Sequence, residues 1–214
     1  MDFNPVVIDL SHHNDVRDWN AVKTFGILGV INKATEGNSF VDKTLAIREK
    51  PVRDHDILYG AYHYLRPGDP VEQADFFLKA VNSLSHPEEM LLALDHEDRD
   101  VPLEDAKAFL ARILEKTGRR AILYSGFLIK EQLRDDADAF LAQHRLWLSH
   151  YSAAPKWPDN WTAPWIIQFT GDGVGPEPHN VPGIVAGNKG LDIDHYGGSA
   201  EQLTAEWVNG PPVV

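Results

Sequence analysis

The sequence of 214 residues predicts an α/β fold, a single-domain β/α barrel whose second half is degenerate. Three observations favour this fold. Eight apolar runs have the length of strands, four segments between the earlier runs have helical character, and the segments between the later runs are rich in proline and glycine. Strands that alternate with helices are typical of a barrel of parallel strands, which commonly holds a chain of this length in one domain.

The eight predicted strands are continuous apolar runs rather than alternations of apolar and polar residues. Such runs indicate a sheet that is covered on both faces, and most of them are rich in branched or aromatic residues. The predicted strands cover residues 6–10, 27–34, 57–64, 90–95, 121–125, 145–150, 164–169 and 190–194.

Helices are predicted between the earlier strands because apolar residues recur there at helical spacing. The spacing is clearest in the third of these segments, where Pro102 suits the first helical turn and Gly118 suits the end. The fourth segment is either one broken helix or two short helices. The four segments cover residues 42–55, 70–84, 102–116 and 126–143.

Loops rather than helices join the last three predicted strands. Residues 152–164 and 170–183 are rich in proline and glycine, and they leave no room for a long crossover helix. The chain has no internal repeat, low-complexity tract or linker. We therefore predict one domain over residues 1–214, with a short extended tail at about residues 209–214.

Composition excludes several classes of function. The formal net charge is −12, which argues against a nucleic-acid partner. The chain has no cysteine, so disulfides and thiolate metal sites are excluded. No apolar window approaches the ~20 residues that cross a bilayer, and the start lacks a basic segment followed by a long apolar run. We expect synthesis in the cytoplasm without a signal peptide, and no stable membrane association.

Polar residues gather at one end of the predicted strands. In β/α barrels the active site lies at the C-terminal ends of the strands. All eight predicted ends carry hydrogen-bonding or ionisable residues, whereas the strands begin mostly with apolar ones. These residues are Asp9, Ser11, His12, His13, Lys33, Thr35, Glu36, Tyr62, His63, Tyr64, Asp95, His96, Glu97, Tyr124, Ser125, His150, Tyr151, Gln168, Asp192 and Asp194.

The stretch LLALDHED ends the fourth predicted strand with an acidic cluster. Because residues i and i+2 of a strand share a face, Asp95 and Glu97 should project to one side and His96 to the other. Two close carboxylates repel, so one of them should hold its proton near neutral pH. A protonated acid beside an ionised one suits the cleavage of a glycosidic bond. Asp98 and Asp100 are predicted instead to cap the following helix.

A metal site is an alternative use of the polar residues. His12 and His13 could bind a metal with Asp95 or His63. Adjacent histidines on extended backbone point in opposite directions, however, which favours hydrogen bonding within the loop. A metal-dependent barrel hydrolase, for instance a deacetylase, would use Asp9, His12, His63 and Asp95, and chelation would distinguish it from a metal-free enzyme.

Three further features have two interpretations each. Glu36 is either a turn residue with a structural role or part of the site. Asp192 and Asp194 share one face of the last strand, so both could point inward, or one could bind loop amides. Four tryptophans concentrate late in the chain, where they either build the core or stack on sugar rings; they are Trp147, Trp157, Trp161 and Trp165.

Eight pieces of the sequence, in this order, resemble glycoside hydrolase family 25, the Chalaropsis-type lysozymes. The pieces span nearly the whole chain. No single piece is decisive, and the resemblance is specific because all eight occur together in register. They are VIDLSHHN with a following Trp19, VINKATEGNSFVD, YGAYHYLRP with Gln73 and Ala74, LALDHED, ILYSG, LWLSHY, WIIQFTGDG and VPGIVAGNKGLDIDHYGGS.

The resemblance implies an irregular TIM-like (β/α)5(β)3 barrel of eight strands and five helices. It also implies N-acetylmuramidase activity, the cleavage of the β-1,4 bond between N-acetylmuramic acid and N-acetylglucosamine in peptidoglycan. Neither a metal nor a cofactor is expected.

The resemblance also implies roles at matching positions. Glu97 matches the general acid of the family and Asp95 its partner carboxylate, while Asp9 and Asp192 match two further catalytic acids of the groove. Four residues fall in pieces that line the cleft and are predicted to bind substrate; they are Tyr62, Tyr124, Gln168 and Lys33.

Three residues depart from the pattern of the family. Asp194 stands where a neutral residue is more frequent, Phe169 where tyrosine is common, and His96 where an apolar residue is frequent. None of these departures removes a predicted catalytic acid. They bear on substrate preference more than on activity.

The predicted partners are the glycan strands of bacterial peptidoglycan, bound by a monomer. A non-catalytic sugar-binding barrel is a second alternative, but it has no need for four convergent carboxylates. Because the wall lies outside the cytoplasm, we expect the protein to act after release or export, as a phage endolysin or a secreted effector.

Overall fold

The fold is taken from a computed structural model, which describes residues 3–134, 136–186 and 190–209. Apart from Asn209, the predicted C-terminal tail lies outside the described residues. The strands are β1 (Pro5–Leu10), β2 (Asp15–Val16), β3 (Gly29–Glu36), β4 (Phe40–Val41), β5 (Leu58–Tyr64), β6 (Leu91–Asp95), β7 (Ile122–Ser125), β8 (Leu146–Ser149), β9 (Ile166–Thr170), β10 (Ile184–Val185) and β11 (Asp192–Tyr196).

Five helices cross over between barrel strands, and a sixth follows the last strand. They are α1 (Trp19–Phe25), α2 (Thr44–Asp54), α3 (Pro70–Val81), α4 (Leu103–Thr117), α5 (Phe127–Leu133) and α6 (Ala200–Glu206). None of the helices in the described residues has the length and apolar character that crossing a membrane requires.

The eight long strands form a closed barrel in the order β1-β11-β9-β8-β7-β6-β5-β3, and a parallel pairing of β1 with β3 closes the ring. Helices α1 to α5 follow the first five barrel strands, whereas loops connect β8, β9 and β11. The predicted barrel with a degenerate second half is therefore confirmed, and every predicted strand lies within two residues of an observed one.

The direction of the last strand corrects one prediction. β11 runs antiparallel to both of its neighbours, β1 and β9. The absence of a crossover helix does not by itself decide the direction, because loops lead both from β8 to the parallel β9 and from β9 to the antiparallel β11. Asp192 therefore lies at the start of β11 and not near its end, yet at the same end of the barrel as the C-terminal ends of the parallel strands.

Two short helices were not predicted, although capping residues mark both. Asp18 caps α1 by accepting hydrogen bonds from two backbone amides, and Gly26 ends it at a φ of 114°. Ser199 and Gln202 form a reciprocal capping box at the start of α6. Each helix has seven residues, which is too short to show a clear apolar period.

The predicted cap of α4 is wrong. Pro102 is the N-cap residue of that helix, without a side-chain hydrogen bond. Asp98 instead accepts a hydrogen bond from the backbone N–H of Asp100 at 3.0 Å and binds Arg66 at 2.9 Å. Asp98 thus belongs to an ion-pair network beside the barrel.

Two apolar layers stabilise the barrel. The outer layer lies between strands and helices, where Phe77 of α3 and Phe109 of α4 are fully buried. The inner layer fills the barrel interior. Trp207, just after α6, closes the end of the barrel where the parallel strands begin, and its Nε1 donates to the Tyr59 carbonyl at 2.8 Å. A Cβ at Gly29 would come within 2.6 Å of the Trp207 ring, so glycine is required for this closure.

Candidate active site

A cleft of about 310 Å³ opens at the end of the barrel where the parallel strands finish. All eight predicted site residues line it, as do seven others. The lining residues are Asp9, Ser11, His13, Lys33, Tyr62, Tyr64, Asp95, Glu97, Tyr124, Trp147, Ser149, Tyr151, Gln168, Asp172 and Asp192. The barrel register brings them together, for example by pairing Asp9 with Asp192 and Asp95 with Tyr124.

The alternation of side chains at the end of β6 is as predicted. Asp95 and Glu97 both line the cleft. His96 points to the other side, where its Nε2 lies 2.6 Å from Oε1 of Gln132 in α5. Asp95 is buried, whereas Glu97 stands at the exposed rim.

The pKa values of both carboxyl groups of this pair are raised. Burial raises the pKa of Asp95 well above its ordinary value, and the charge of Glu97 raises it further. Loss of solvation in the cleft also raises the pKa of Glu97, although the Tyr124 hydroxyl and the Lys33 ammonium oppose that shift. The cleft therefore holds a proton on this pair at a pH where an ordinary carboxyl group has lost it.

An ion-pair chain fixes the Lys33 ammonium group beside this pair. Nζ of Lys33 lies 2.5 Å from Oε2 of Glu36, and Arg66 binds the other oxygen of Glu36 at 2.7 Å and Asp98 at 2.9 Å. The Lys33 and Arg66 cations both lie against the Tyr64 ring, at 4.9 and 4.6 Å from its centroid. Glu36 thus has a defined role, which is to hold Lys33 beside the cleft.

Gln168 connects the opposite walls of the cleft. Its Nε2 donates to Asp9 at 2.7 Å, and its Oε1 accepts from the hydroxyls of Tyr124 at 2.9 Å and Tyr151 at 2.8 Å. Burial raises the pKa of Asp9, and the nearby charge of Asp192 adds to the shift. The network fixes the orientation of Asp9 at the floor of the cleft.

Asp194 lies two residues after Asp192 on the same face of β11. It is inside the barrel and outside the cleft lining. Its Oδ1 accepts from Nε1 of Trp147 at 2.6 Å, while its Oδ2 has no hydrogen-bond partner among the described residues. Asp192 and Asp194 thus both face inward. Burial raises the pKa of Asp194 well above 3.8, because a fully buried carboxylate loses its hydration.

We expect Asp194→Asn to stabilise the protein at neutral pH by about 1–2 kcal/mol, since asparagine mimics the protonated acid. A raised folded-state pKa supplies stability that is complete below 3.8 and is lost as pH rises from there through the folded-state value. The gain from the variant should therefore grow with pH. Urea unfolding between pH 5 and 8 checks this, with the exposed Asp159→Asn as control; equal pH dependence of variant and wild type would contradict it.

The predicted metal donors do not come together. Nδ1 of His12 binds Asp42 at 2.9 Å. His63 faces the helices, where it bonds Thr35 at 2.7 Å and Gln73 at 3.1 Å, and burial lowers its pKa to about 4. The alternative donor set for a metal-dependent hydrolase is therefore wrong. The candidate metal group in the described residues is an exposed cluster of His86, Glu88 and Glu89. It precedes the start of β6, whereas Asp95 of the cleft lies at the other end of that strand.

A larger groove of about 950 Å³ lies at the opposite end of the barrel, near Trp165 and Arg145. Glu206 is its one acidic lining residue among those described, and that carboxylate accepts hydrogen bonds from Trp165 and Tyr196, both at 2.8 Å. Glycosidic cleavage needs two carboxyl groups. The smaller cleft is therefore the candidate active site.

Comparison with known proteins agrees with this geometry. The family model described as "Glycosyl hydrolases family 25" matches residues 8–177. The chain belongs to glycosyl hydrolase family 25. It is 26% identical over 213 residues to lysozyme M1 of Streptomyces globisporus, covering 92% of this chain and 69% of that protein. It is also 26% identical over 208 residues to the uncharacterized protein YegX of Escherichia coli K12, covering 92% and 71%.

The fold of this family 25 enzyme is also that of solved lysozymes. The crystal structure of the lysozyme from Streptomyces coelicolor superposes with a TM-score of 0.79 at 24% identity, covering 95% of this chain and 97% of that one. The family establishes the class of enzyme, a glycoside hydrolase.

Some residues that line the cleft of this glycoside hydrolase were given no role in the sequence analysis. Tyr151 follows a predicted strand end but carried no assigned role, and Asp172 sits in a loop whose Asp-Gly pair signals a tight turn. Of the late tryptophans, Trp147 lines the cleft. Trp161 is buried, and its Nε1 bonds the His144 carbonyl at 2.8 Å, so that ring serves the core.

Proposed function

We propose that this family 25 glycoside hydrolase is an N-acetylmuramidase that cleaves the β-1,4 bond between N-acetylmuramic acid and N-acetylglucosamine in bacterial peptidoglycan. The observation that carries the proposal is the pair Asp95 and Glu97, which share one face at a strand end and both have a raised pKa. A relative that is named a lysozyme supports the substrate class.

Glu97 is the proposed general acid. It stands at the rim, where a glycosidic oxygen can reach it, and its raised pKa keeps it protonated to a higher pH than an ordinary glutamate. It donates that proton to the departing oxygen as the glycosidic bond breaks. The Lys33 ammonium then stabilises the carboxylate that remains, since its charge favours the ionised form.

Asp95 is the proposed partner carboxylate. It is 7% exposed, and its Oδ1 has no hydrogen-bond partner among the described residues. The Asp95 side chain lines the cleft, where its carboxylate is proposed to accept the N–H of the substrate's own 2-acetamido group, which polarises the acetamido oxygen as an internal nucleophile. In its ionised form Asp95 also stabilises the positive charge that develops at the anomeric carbon, and that charge in turn opposes the raised pKa of Asp95.

Asp9 and Asp192 are proposed to orient the reacting groups and the attacking water. Gln168 fixes Asp9 through a 2.7 Å hydrogen bond, and Asp192 faces Asp9 across the β1–β11 pair. Tyr62, Tyr124, Gln168 and Lys33 are the proposed substrate-binding residues. We further propose that a monomer acts on the wall after release or export from the cell.

Digestion of defined peptidoglycan tests the function. We expect muropeptides with N-acetylmuramic acid at the new reducing end, identified by mass spectrometry, and equal rates with and without EDTA. New reducing ends on N-acetylglucosamine would show that a different bond is cut. Release of acetate without chain cleavage would contradict the proposed function.

A further inference from the structure

The buried carboxyl group of Asp194 holds a tryptophan in the barrel interior. Its Oδ1 accepts from Nε1 of Trp147 at 2.6 Å, whereas its Oδ2 has no hydrogen-bond partner among the described residues. Asp194 is fully buried and Trp147 is 2% exposed. The bond crosses from β11 to β8 over the intervening strand β9. Because an indole has a single N–H donor, this acceptor fixes the direction in which the Trp147 ring points.

The Trp147 ring supports two tyrosines of the cleft. Its centroid lies 4.6 Å from that of Tyr124 and 6.3 Å from that of Tyr62, both in edge-to-face geometry. All three rings line the cleft, and an edge-to-face contact depends on the angle between the rings. A rotation of the indole would therefore displace the two tyrosines that are proposed to bind substrate.

Tyr124 extends this support to a proposed catalytic acid. Its hydroxyl donates to Oε1 of Gln168 at 2.9 Å, and Nε2 of Gln168 donates to Asp9 at 2.7 Å. Gln168 is also the residue of β9 that pairs with Asp194 in the sheet. Direct contacts thus connect Asp194 with Asp9 through the Trp147 ring and its neighbours.

Two simpler roles do not account for Asp194. It lies outside the cleft lining, so direct contact with a bound glycan is not open to it. Packing alone does not require an acid, because a buried carboxyl group with a single hydrogen bond costs more than an apolar side chain of similar size. Costly polar groups of this kind are expected where they support a functional site.

We propose that Asp194 is a positioning residue for the cleavage reaction, which holds the Trp147 indole and through it the tyrosines at the floor of the cleft. The inference rests on the proposed muramidase function and adds to it a residue that acts through Trp147 and not on the substrate. The acceptor oxygen of Asp194 supplies this function, and its negative charge does not. Asparagine should therefore replace Asp194, whereas leucine, which has a similar size and no acceptor, should not.

The pair of variants Asp194→Leu and Asp194→Asn tests the acceptor. We expect Asp194→Leu to lower kcat/KM for the release of reducing ends from peptidoglycan by roughly 10- to 10²-fold, since a displacement of about 1 Å in positioning groups costs up to about 10²-fold. Asp194→Asn should stay within about threefold of wild type, because its side-chain oxygen still accepts from Nε1. Rates are measured at a temperature where circular dichroism shows each variant to be folded, so that lost stability is not counted as lost rate.

The reciprocal change tests the same bond from the tryptophan side. Trp147→Phe removes the N–H donor and keeps an aromatic ring, so it should also lower kcat/KM. Adding Asp194→Leu to Trp147→Phe should cost little more, since both changes break one contact. Additive losses would overturn the inference, because Asp194 would then act by another route.

Trp161→Phe is the matched control for Trp147→Phe. The indole of Trp161 is also buried, and its Nε1 donates to the His144 carbonyl at 2.8 Å, but this ring does not line the cleft. Its replacement should leave the rate of the folded enzyme unchanged. If Asp194→Leu does not fold, the comparison of Trp147→Phe with Trp161→Phe decides, and equal rates for these two variants would overturn the inference.

The indole N–H gives a readout that does not depend on activity. In a proton–nitrogen correlation spectrum, the indole signal that Trp147→Phe removes belongs to Trp147. We expect Asp194→Leu to move that signal upfield, because the hydrogen bond to the carboxyl group is lost, and Asp194→Asn to move it much less. A signal that stays in place in Asp194→Leu would contradict the role of Asp194 in holding the ring.

Equal kcat/KM values for Asp194→Leu and wild type, or equal losses for Asp194→Leu and Asp194→Asn, would also overturn the inference. The second result would assign the effect to the charge and not to the bond. Both results leave the muramidase function intact, since wild type still cleaves the glycan. If wild type cleaves no peptidoglycan, the proposed function itself fails, and the inference fails with it.

Discussion

Glu97→Gln is expected to lower the rate of glycan cleavage by roughly 10²–10⁴-fold, the range typical for loss of a general acid. Glutamine keeps the size of the side chain, but it has no acidic proton to give to the departing oxygen. Because the folded protein raises the pKa of Glu97, the uncharged glutamine should not lower the free energy of unfolding at neutral pH. Reducing ends released from purified cell walls measure the rate.

The adjacent acid supplies the control for this substitution. Asp98 is one residue away but lies outside the cleft lining and binds Arg66, so Asp98→Asn should keep activity within a few-fold of wild type. The wild-type rate should fall as pH rises through the raised pKa of Glu97, because only the protonated form acts. A full lytic rate for Glu97→Gln, or equal losses for the two variants, would exclude Glu97 as the acid.

The strands were predictable because a strand that is buried on both faces consists of a continuous run of apolar residues. The strand from Leu91 to Asp95 is buried at every position, so no exposed polar position interrupts its apolar run. The direction of β11 was not predictable in this way, because the composition of a loop does not determine whether the next strand runs parallel or antiparallel. The short helices α1 and α6 carried cap signals at Asp18 and Ser199 but too few residues for a period.

The site was predictable where it depends on strand ends. Parallel strands deliver their C-terminal residues to one edge, so Asp9, Lys33 and Asp95 were expected to meet before any distance was known. Contacts between residues that are distant in the chain could not be predicted from the local sequence. Gln168 bonds Asp9 across 159 positions of the chain, and Asp172 reaches the cleft from a loop turn. Closure of the barrel, not local sequence, determines those neighbours.

Gly171→Ala should lower activity about 10²-fold although Gly171 has no functional group. A Cβ at this position would stand less than 3.0 Å from both Oδ1 of Asp192 and the Tyr151 hydroxyl. Both side chains would have to move, and Tyr151 is bonded to Gln168, which in turn holds Asp9. A displacement of about 1 Å in groups that position a reaction can cost about 10²-fold in rate.

Gly197→Ala separates this displacement from a general effect of replacing glycine. A Cβ at Gly197 would have His195 as its nearest neighbour, at 3.7 Å, which is ordinary contact. That variant should keep both activity and stability. Gly171→Ala should cost roughly 1–3 kcal/mol through overpacking, so its loss of rate must be measured well below its melting temperature. If its rate stays within threefold of wild type there, neither Asp192 nor Tyr151 needs its present position, and the roles proposed for Asp192 and Asp9 would have to be abandoned.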